Sequence, residues 1–154
     1  MHQTRKGNQW YFGMKAHIGV DSKTKLIHSV AATAANTHDS QLLPDLLHGE
    51  ETRVYGDSAY MGQSEAIREQ APKAKDFTQK KGCRSRALSD ADRARNRTKS
   101  RVRAKVEHPF LVLKRVFGFS KVRYRGVDKN ANRLFVACGL VNLYMARRVL
   151  LRPT

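Results

Sequence analysis

The chain has 154 residues, a length that suits one domain with a substantial hydrophobic core. Its net charge of +17 at pH 7 indicates a polyanionic partner. The two cysteines show no metal-binding spacing, which disfavours a zinc site or a disulfide framework. The most apolar stretch, residues 134–146, is too short to span a bilayer and the N-terminus is polar, so we expect a cytoplasmic protein without a membrane partner.

The N-terminal third of the chain predicts a strand hairpin. Residues 1–9 are polar and are expected to form a loose arm. Apolar and polar residues alternate over residues 10–20, which predicts a half-buried strand. Residues 21–24 favour a turn, and residues 26–34 predict the returning antiparallel strand.

The next segment predicts short helices alternating with short strands. Residues 42–47 favour an amphipathic helix, and residues 52–57 a buried strand of the kind found in parallel sheets. A second helix over residues 62–70 is expected to stop before Pro72, and residues 75–78 predict one more strand.

The second half of the chain predicts mainly helix. Residues 79–100 comprise a basic loop and the start of a long helical stretch that extends to residue 117. A proline inside a helix costs about 3 kcal/mol and disfavours helix at the preceding residue, so Pro109 predicts a kink or restart just after Glu107. Residues 130–151 predict a last helix rich in core residues, which are Leu134, Phe135, Cys138, Val141, Met145 and Val149. The order of elements is that of an α/β protein.

One acid in the basic region is flanked by two cations. If the surrounding residues form one helix turning about 100° per residue, Arg103, Glu107 and Lys114 fall within about 40° of one another. An ordinary Arg–Glu pair on a solvated helix would show the same spacing. An adjacent apolar stripe is expected to face the core. Its members are Val106, Phe110, Leu113 and Phe117.

This spacing resembles a known signature. Arg103, three residues, Glu107, six residues and Lys114 fit the Y-(2)-R-(3)-E-(6)-K pattern of insertion-sequence transposases with an RNase H-like DDE domain. The position of the signature tyrosine holds Ser100, which is one departure from the pattern.

Two further segments resemble the same family. The segment VYGDSAY, which contains Asp57, resembles the strand that carries the second catalytic Asp. Residues 7–47 are similar to the stretch between the first and second Asp in the insertion-sequence-five branch. The strand bearing the first Asp is expected before Met1, so the resemblance implies the C-terminal part of such an enzyme.

The resemblance implies an α/β, RNase H-like fold of the transposase and retroviral-integrase type, with a mixed sheet flanked by helices. Residues 1–154 would form a single partial domain of this kind, truncated at the N-terminus. In that fold the first strand pairs between the hairpin and the strand ending at Asp57. Without it, two sheet edges are expected to be open.

The resemblance also implies a reaction. Asp57 and Glu107 would be the second and third ligands of Mg²⁺ or Mn²⁺, in a two-metal mechanism that cleaves and joins DNA phosphodiesters. Two carboxylates make an incomplete two-metal site, so we expect this chain alone to be weak or inactive. Asp39 is the better candidate for a substitute acid, but we expect it to cap a helix, and Asp21 is expected at the wrong end of the sheet.

The partners implied are transposon ends, target DNA, and a second copy or an intact transposase. Arg103 and Lys114 would contact DNA phosphates or steady Glu107. Four cations of the basic loop are candidates for gripping the DNA backbone, or else form a solvated loop. They are Lys80, Lys81, Arg84 and Arg86.

Two alternatives and one ambiguous cluster stay open. The chain would also fit a non-catalytic DNA-binding remnant of a transposase. An unrelated basic RNA-binding protein would leave the Arg103–Glu107–Lys114 spacing to chance. The ambiguous cluster comprises the aromatic residues Trp10, Tyr11 and Phe12. Because they lie on an alternating strand we expect them to pack in the core, and stacking on a nucleic-acid base is the functional alternative.

Overall fold

The computed structural model describes residues 1–83 and 86–152, with Lys6 described by its backbone alone. It is a mixed α/β structure, as predicted. The strands are β1 (His2–Lys6), β2 (Gln9–Val20), β3 (Ile27–Ala34), β4 (Arg53–Val54) and β5 (Lys75–Asp76). The α-helices are α1 (Leu43–Leu46), α2 (Ser64–Gln70), α3 (Asp90–Arg103), α4 (Glu107–Arg115) and α5 (Val127–Leu150). Three 3-10 helices span Asp39–Leu42, Ser58–Tyr60 and Ala104–Val106.

The chain divides into two compact units. Unit 1 comprises Met1–Thr37 and Val106–Thr154, and unit 2 comprises His38–Lys105. Unit 1 contains the sheet β1–β2–β3, and unit 2 contains the sheet β4–β5. The assignment of all 154 residues to one partial domain stays a prediction.

The predicted hairpin is confirmed. Strands β2 and β3 pair antiparallel, with Met14 opposite Ala34 and Val20 opposite Ile27. Asp21 shapes the turn, because its Oδ1 accepts hydrogen bonds from the backbone N–H groups of Lys23 and Thr24. These bonds, that of Thr24 foremost, lower the pKa of the Asp21 carboxyl.

The loose arm predicted over residues 1–9 is wrong for most of its length. Strand β1 pairs antiparallel with the first half of β2, so that Thr4 lies opposite Tyr11. Gly7 adopts φ +62° in the connecting turn, a conformation that glycine reaches without steric cost. Residues 2–6 show no alternation of apolar and polar residues because neither face of β1 packs into a core.

The core of unit 1 lies between the hairpin and helices α4 and α5. Helix α5 buries one face, as predicted for Leu134, Cys138 and Val141, whereas Phe135 and Val149 are exposed and were wrongly predicted to lie in the core. The helical repeat explains the exposure of Phe135, which lies about 100° around the helix from Leu134. Val149 lies within about 20° of Cys138 around the helix, but it comes two turns after Val141, the last buried residue of α5. The most buried core members are Ile18, Ile27, Val112, Leu113, Leu134, Ala137, Cys138 and Val141.

Unit 2 is built on a short parallel strand pair. Arg53 lies opposite Lys75 and Val54 opposite Asp76, which confirms the predicted parallel strand, although it is shorter than expected. A small core of Leu43, Val54 and Ile67 covers one side of the pair. The pairing continues as backbone hydrogen bonds from Phe77 to Val54 and from Gln79 to Gly56.

The long helical stretch is interrupted before Glu107, not after it. Helix α3 ends at Arg103, a 3-10 turn spans Ala104–Val106, and α4 begins at Glu107. Pro109 is therefore in the first turn of α4, where a missing N–H leaves no intrahelical bond unmade. A continuous helix would need a bond from Pro109 to the carbonyl of Lys105, which proline cannot supply.

Candidate functional site

Asp57 follows β4 by three residues and caps the 3-10 helix Ser58–Tyr60. Its Oδ1 accepts a hydrogen bond from the backbone N–H of Ala59 at 2.8 Å. The side chain is half-buried. Because the bond engages Oδ1, the carboxylate is oriented at the end of the strand and Oδ2 can serve a cation.

A tight contact fixes the backbone before Asp57. A Cβ on Gly56 would come within 3.1 Å of Tyr60 Cβ and of Thr78 Cγ2. No larger residue fits at this position without displacing both neighbours. Gly56 thereby lets the chain turn from β4 into the 3-10 helix while Tyr60 packs against it.

Asp39 approaches the same tyrosine as Asp57. The 3-10 helix Asp39–Leu42 contacts the 3-10 helix Ser58–Tyr60. Burial raises the pKa of the Tyr60 phenol to about 12, and the carboxylates of Asp39 and Asp57 add to the shift. The two acids therefore converge on Tyr60 within unit 2.

The predicted capping role of Asp39 is wrong. His38 caps this helix, because its Nδ1 accepts a hydrogen bond from the backbone N–H of Ser40 at 3.3 Å. Asp39 is the first residue inside the helix. A histidine ring reaches the same donor that a capping aspartate would have reached, so the capping residue is His38 and not Asp39.

Glu107 and Lys114 share the exposed face of α4. They are seven residues apart, which places them about 20° from each other on the helix. The opposite face buries Pro109, Val112 and Leu113. The Lys114 ammonium lies 5.9 Å from the centre of the Phe110 ring.

The predicted apolar stripe beside Glu107 packs against the core of unit 1, with Leu113 buried and Val106, Phe110 and Phe117 half-buried. The predicted stripe from Arg103 through Glu107 to Lys114 assumed an unbroken α-helix. A 3-10 turn over Ala104–Val106 instead separates α3 from α4, so the grouping of Arg103 with Glu107 and Lys114 on one face stays a prediction.

Asp57 belongs to unit 2 and Glu107 to unit 1. Each acid is defined within its own unit, so their joint action at one metal site stays a prediction.

The basic loop is fastened to α3 by its backbone. Asn96 accepts a hydrogen bond from Lys80 N at 3.1 Å and donates one to Lys80 O at 2.8 Å. The Lys80 ammonium contacts Asp92 Oδ1 at 2.9 Å, so an acid already offsets its charge. Lys81 and Arg86 are exposed, and Arg84 lies outside the described residues.

Helix α3 is a cationic surface that the sequence-based site prediction left out, except for Arg103. None of its residues is buried, and alternate positions from Arg93 to Arg103 carry a Lys or Arg. Lys99 Nζ donates to Thr78 O at 2.7 Å, and Gln79 Nε2 donates to Ser100 Oγ at 2.6 Å. Polar bonds, not apolar burial, therefore hold this helix in unit 2. The sequence of α3 indicated this surface, because its cations are regularly spaced with almost no apolar residues between them.

The excess positive charge is concentrated in unit 1. This unit contains 15 Lys and Arg residues but only three acids, Asp21, Glu107 and Asp128. Unit 2 contains the same number of cations with ten acids. Unit 1 thus produces the stronger field for a polyanion.

The sequence of the chain matches one family of known proteins. The family model described as transposase DDE domain matches residues 1–143. The chain belongs to this family of DDE-domain transposases. No solved structure matches the chain. Among the described residues, no helix combines the length and the apolar character needed to cross a bilayer.

Proposed function

We propose that this chain acts in DNA transposition as the C-terminal part of an RNase H-like DDE transposase of the insertion-sequence-five branch. It would cleave and join DNA phosphodiesters. The observation that supports this best is the oriented Asp57 carboxylate at the end of β4, in a chain that matches the transposase DDE family over residues 1–143. Ligands bind at the carboxyl ends of strands in open α/β sheets, which is where Asp57 lies.

Asp57 and Glu107 are the proposed ligands of Mg²⁺ or Mn²⁺. Hard divalent cations prefer carboxylate oxygens, and the Ala59 N–H holds the Asp57 carboxylate in a fixed orientation through one oxygen. The residues present therefore fit such an ion. When bound, the metal ions would activate the attacking oxygen and neutralise charge on the phosphate and the leaving oxygen.

The proposed role of the cations is to bind DNA phosphates at the transposon end and the target. Lys114 shares the exposed face of α4 with Glu107, so a phosphate bound near the acid would also meet an ammonium group. Lys81, Arg86 and Arg103, with the neighbouring cations of α3, are proposed to bind further phosphates of the DNA backbone. Lys80 is expected to contribute less because it is paired with Asp92.

A second candidate is a non-catalytic DNA-binding protein of transposase origin. It is favoured by the composition of β1, β2 and β3, which contain no Asp or Glu that could complete a two-metal site. Asp39 is the proposed substitute acid, since its charge and that of Asp57 both act on Tyr60. Under either of the two candidate functions we expect the isolated chain to bind DNA and to show little or no cleavage.

A nicking assay separates the two candidates. The chain is incubated with a transposon-end duplex and Mg²⁺ or Mn²⁺, alone and joined to an N-terminal segment that supplies a strand-borne Asp. The catalytic candidate predicts nicking by the joined protein and its loss in Asp57→Asn or Glu107→Gln, with DNA binding retained.

The matched control is Asp45→Asn, which removes an exposed acid of α1. Nicking that survives both acid substitutions would refute the site. Absence of nicking by every form, together with DNA binding, would favour the non-catalytic candidate. Nicking by the isolated chain that is lost in Asp39→Asn would identify Asp39 as the third acid.

A further inference from the structure

Three consecutive aromatic residues of β2 are exposed, contrary to the prediction that they lie in the core. Trp10 is 65 % exposed, Tyr11 49 % and Phe12 66 %. Trp10 and Phe12 project from the same side of the strand, because alternate residues share a face. Further along β2, residues on that face enter the core at Met14 and Ile18. The apolar face thus continues beyond the core as an uncovered surface.

Strand β1 adds a cation to this surface. Arg5 pairs with Trp10 across the strands, and its guanidinium lies 5.9 Å from the centre of the indole ring. The turn steadies Arg5, because Nε donates to Gly7 O at 3.1 Å and Nη2 to Asn8 Oδ1 at 3.5 Å. Gln3 lies opposite Phe12 on the same face. We call Gln3, Arg5, Trp10 and Phe12 the aromatic ribbon.

The charge of the two strands that carry the aromatic ribbon favours a negatively charged partner. Strands β1 and β2 contain three cations and no Asp or Glu, and Arg5 is the cation on the face of Trp10 and Phe12. A partner that complements this surface offers both negative charge and flat apolar faces. Single-stranded nucleic acid offers both, since its bases stack on aromatic rings while its phosphates meet the cations. Bases within a duplex are stacked on one another and expose only their edges.

We propose that the aromatic ribbon binds unpaired DNA bases, which stack on Trp10 and Phe12 while Arg5 contacts the adjacent phosphate. The identification of DNA, and not RNA, as the strand rests on the proposed function, in which strand cleavage at a transposon end leaves nucleotides that can unpair. The ribbon contains no carboxylate that could hold a metal ion, so it would position the DNA end and would not take part in the chemistry.

The single tryptophan of the chain makes the proposal directly measurable. The full chain is titrated with three DNA probes of equal length: an oligothymidylate, the same strand with abasic sites, and a hairpin duplex. Stacking predicts that the oligothymidylate quenches Trp10 fluorescence strongly. The abasic strand, which retains the phosphates, and the duplex should quench it weakly.

Variants test the residues independently. Phe12→Ala should weaken oligothymidylate binding by about 5- to 150-fold, the effect of losing one stacked base, while duplex binding changes little. Phe12→Leu should lose most of the same affinity, because leucine keeps apolar area but has no ring face. Leu151→Ala removes a side chain that is 80 % exposed elsewhere and should leave all three titrations unchanged.

Equal quenching by the abasic strand, or wild-type affinity of Phe12→Leu, would overturn base stacking. A fluorescence change that follows protein concentration without DNA would show that a second copy covers the ribbon and would also overturn it. An oligoribonucleotide bound more tightly than the oligothymidylate would replace DNA by RNA and refute the proposal as stated. Duplex binding with an unresponsive Trp10 would refute this inference alone, whereas failure to bind any DNA would refute the proposed function as well.

Discussion

Asn142 on α5 bonds to both backbone groups of Ile27, the first residue of β3. Its Oδ1 accepts from Ile27 N at 2.8 Å, and its Nδ2 donates to Ile27 O at 2.7 Å. The side-chain amide of Asn142 thus pairs with both backbone groups of a residue at the sheet edge, as a neighbouring strand would. The contact joins segments 115 residues apart and fixes β3 against α5. Val112 and Leu113 of α4, the helix that begins at Glu107, pack into the same core.

Replacement of Asn142 by Leu should destabilise unit 1. The substitution leaves the N–H and C=O of Ile27 without partners in a part-buried site, so the free energy of unfolding should fall by about 2–4 kcal/mol. Chemical denaturation measures this change. Leu143→Ala alters the next residue, which is exposed, and should cost much less. Similar losses for the two variants would mean that the Asn142 bonds contribute little.

Asn130 should be equally intolerant of substitution. It is fully buried, accepts from the N–H groups of Arg123 and Tyr124, and donates to the carbonyls of Tyr124 and Gly126. Asn130→Ala removes four bonds that hold the loop before α5 and should lower the free energy of unfolding by about 2–4 kcal/mol.

The control for Asn130 is Asn132→Ala, an exposed asparagine of the same helix, which should change stability by less than about 0.5 kcal/mol. Faster hydrogen exchange in the loop before α5 should accompany the Asn130 substitution. A loop that exchanges as slowly as in the parent would contradict its assigned role.

Tyr60 reports on the acids around it. Its pKa of about 12 should appear as the latest phenol titration, identified by its loss in Tyr60→Phe. Asp57→Asn and Asp39→Asn should each lower the pKa of Tyr60, because each removes a negative charge that disfavours the phenolate. Neither should return it to 10, because burial is the largest cause. Glu69→Gln, an exposed acid of α2, should not alter it.

The same shift predicts a pH dependence of stability. Because the folded-state pKa of Tyr60 is raised, its contribution to stability is complete below the unfolded value of about 10 and is lost as the pH rises towards 12. The parent should therefore lose more stability than Tyr60→Phe over this range. Parallel losses would mean that Tyr60 ionises as freely in the folded as in the unfolded chain.

DNA binding should depend steeply on salt. With roughly six phosphate contacts, affinity for a duplex should fall about 10³-fold between 50 and 200 mM salt. A flat dependence in gel-shift titrations would refute backbone contact. We also expect little preference for one sequence.

Two neighbouring lysines provide a matched comparison. Lys81→Gln should reduce the slope of the salt dependence by about one phosphate contact. Lys80→Gln should reduce it less, because Asp92 already pairs with the Lys80 ammonium. A larger effect of Lys80→Gln would indicate that DNA displaces Asp92 from the pair.

The sequence by itself determined the features that depend on local pattern. The alternation of apolar and polar residues predicted the β2–β3 hairpin, because one face of β2, which includes Ile18, packs in the core. The positions of Asp57 and Glu107 in the family signature predicted a transposase, and the family match over residues 1–143 supports that class. Composition alone predicted a basic protein.

Tertiary structure decided what depends on non-local contacts. Strand β1 forms by backbone pairing with β2, which leaves no mark on side-chain polarity. Trp10 and Phe12 have the pattern of core residues, yet no element of the described chain covers them, and coverage is a property of the whole fold. The approach of Asp39 to Tyr60 likewise depends on two 3-10 helices packing together across 20 residues of chain. Periodicity fixes which face a residue occupies, whereas only packing fixes what lies against that face.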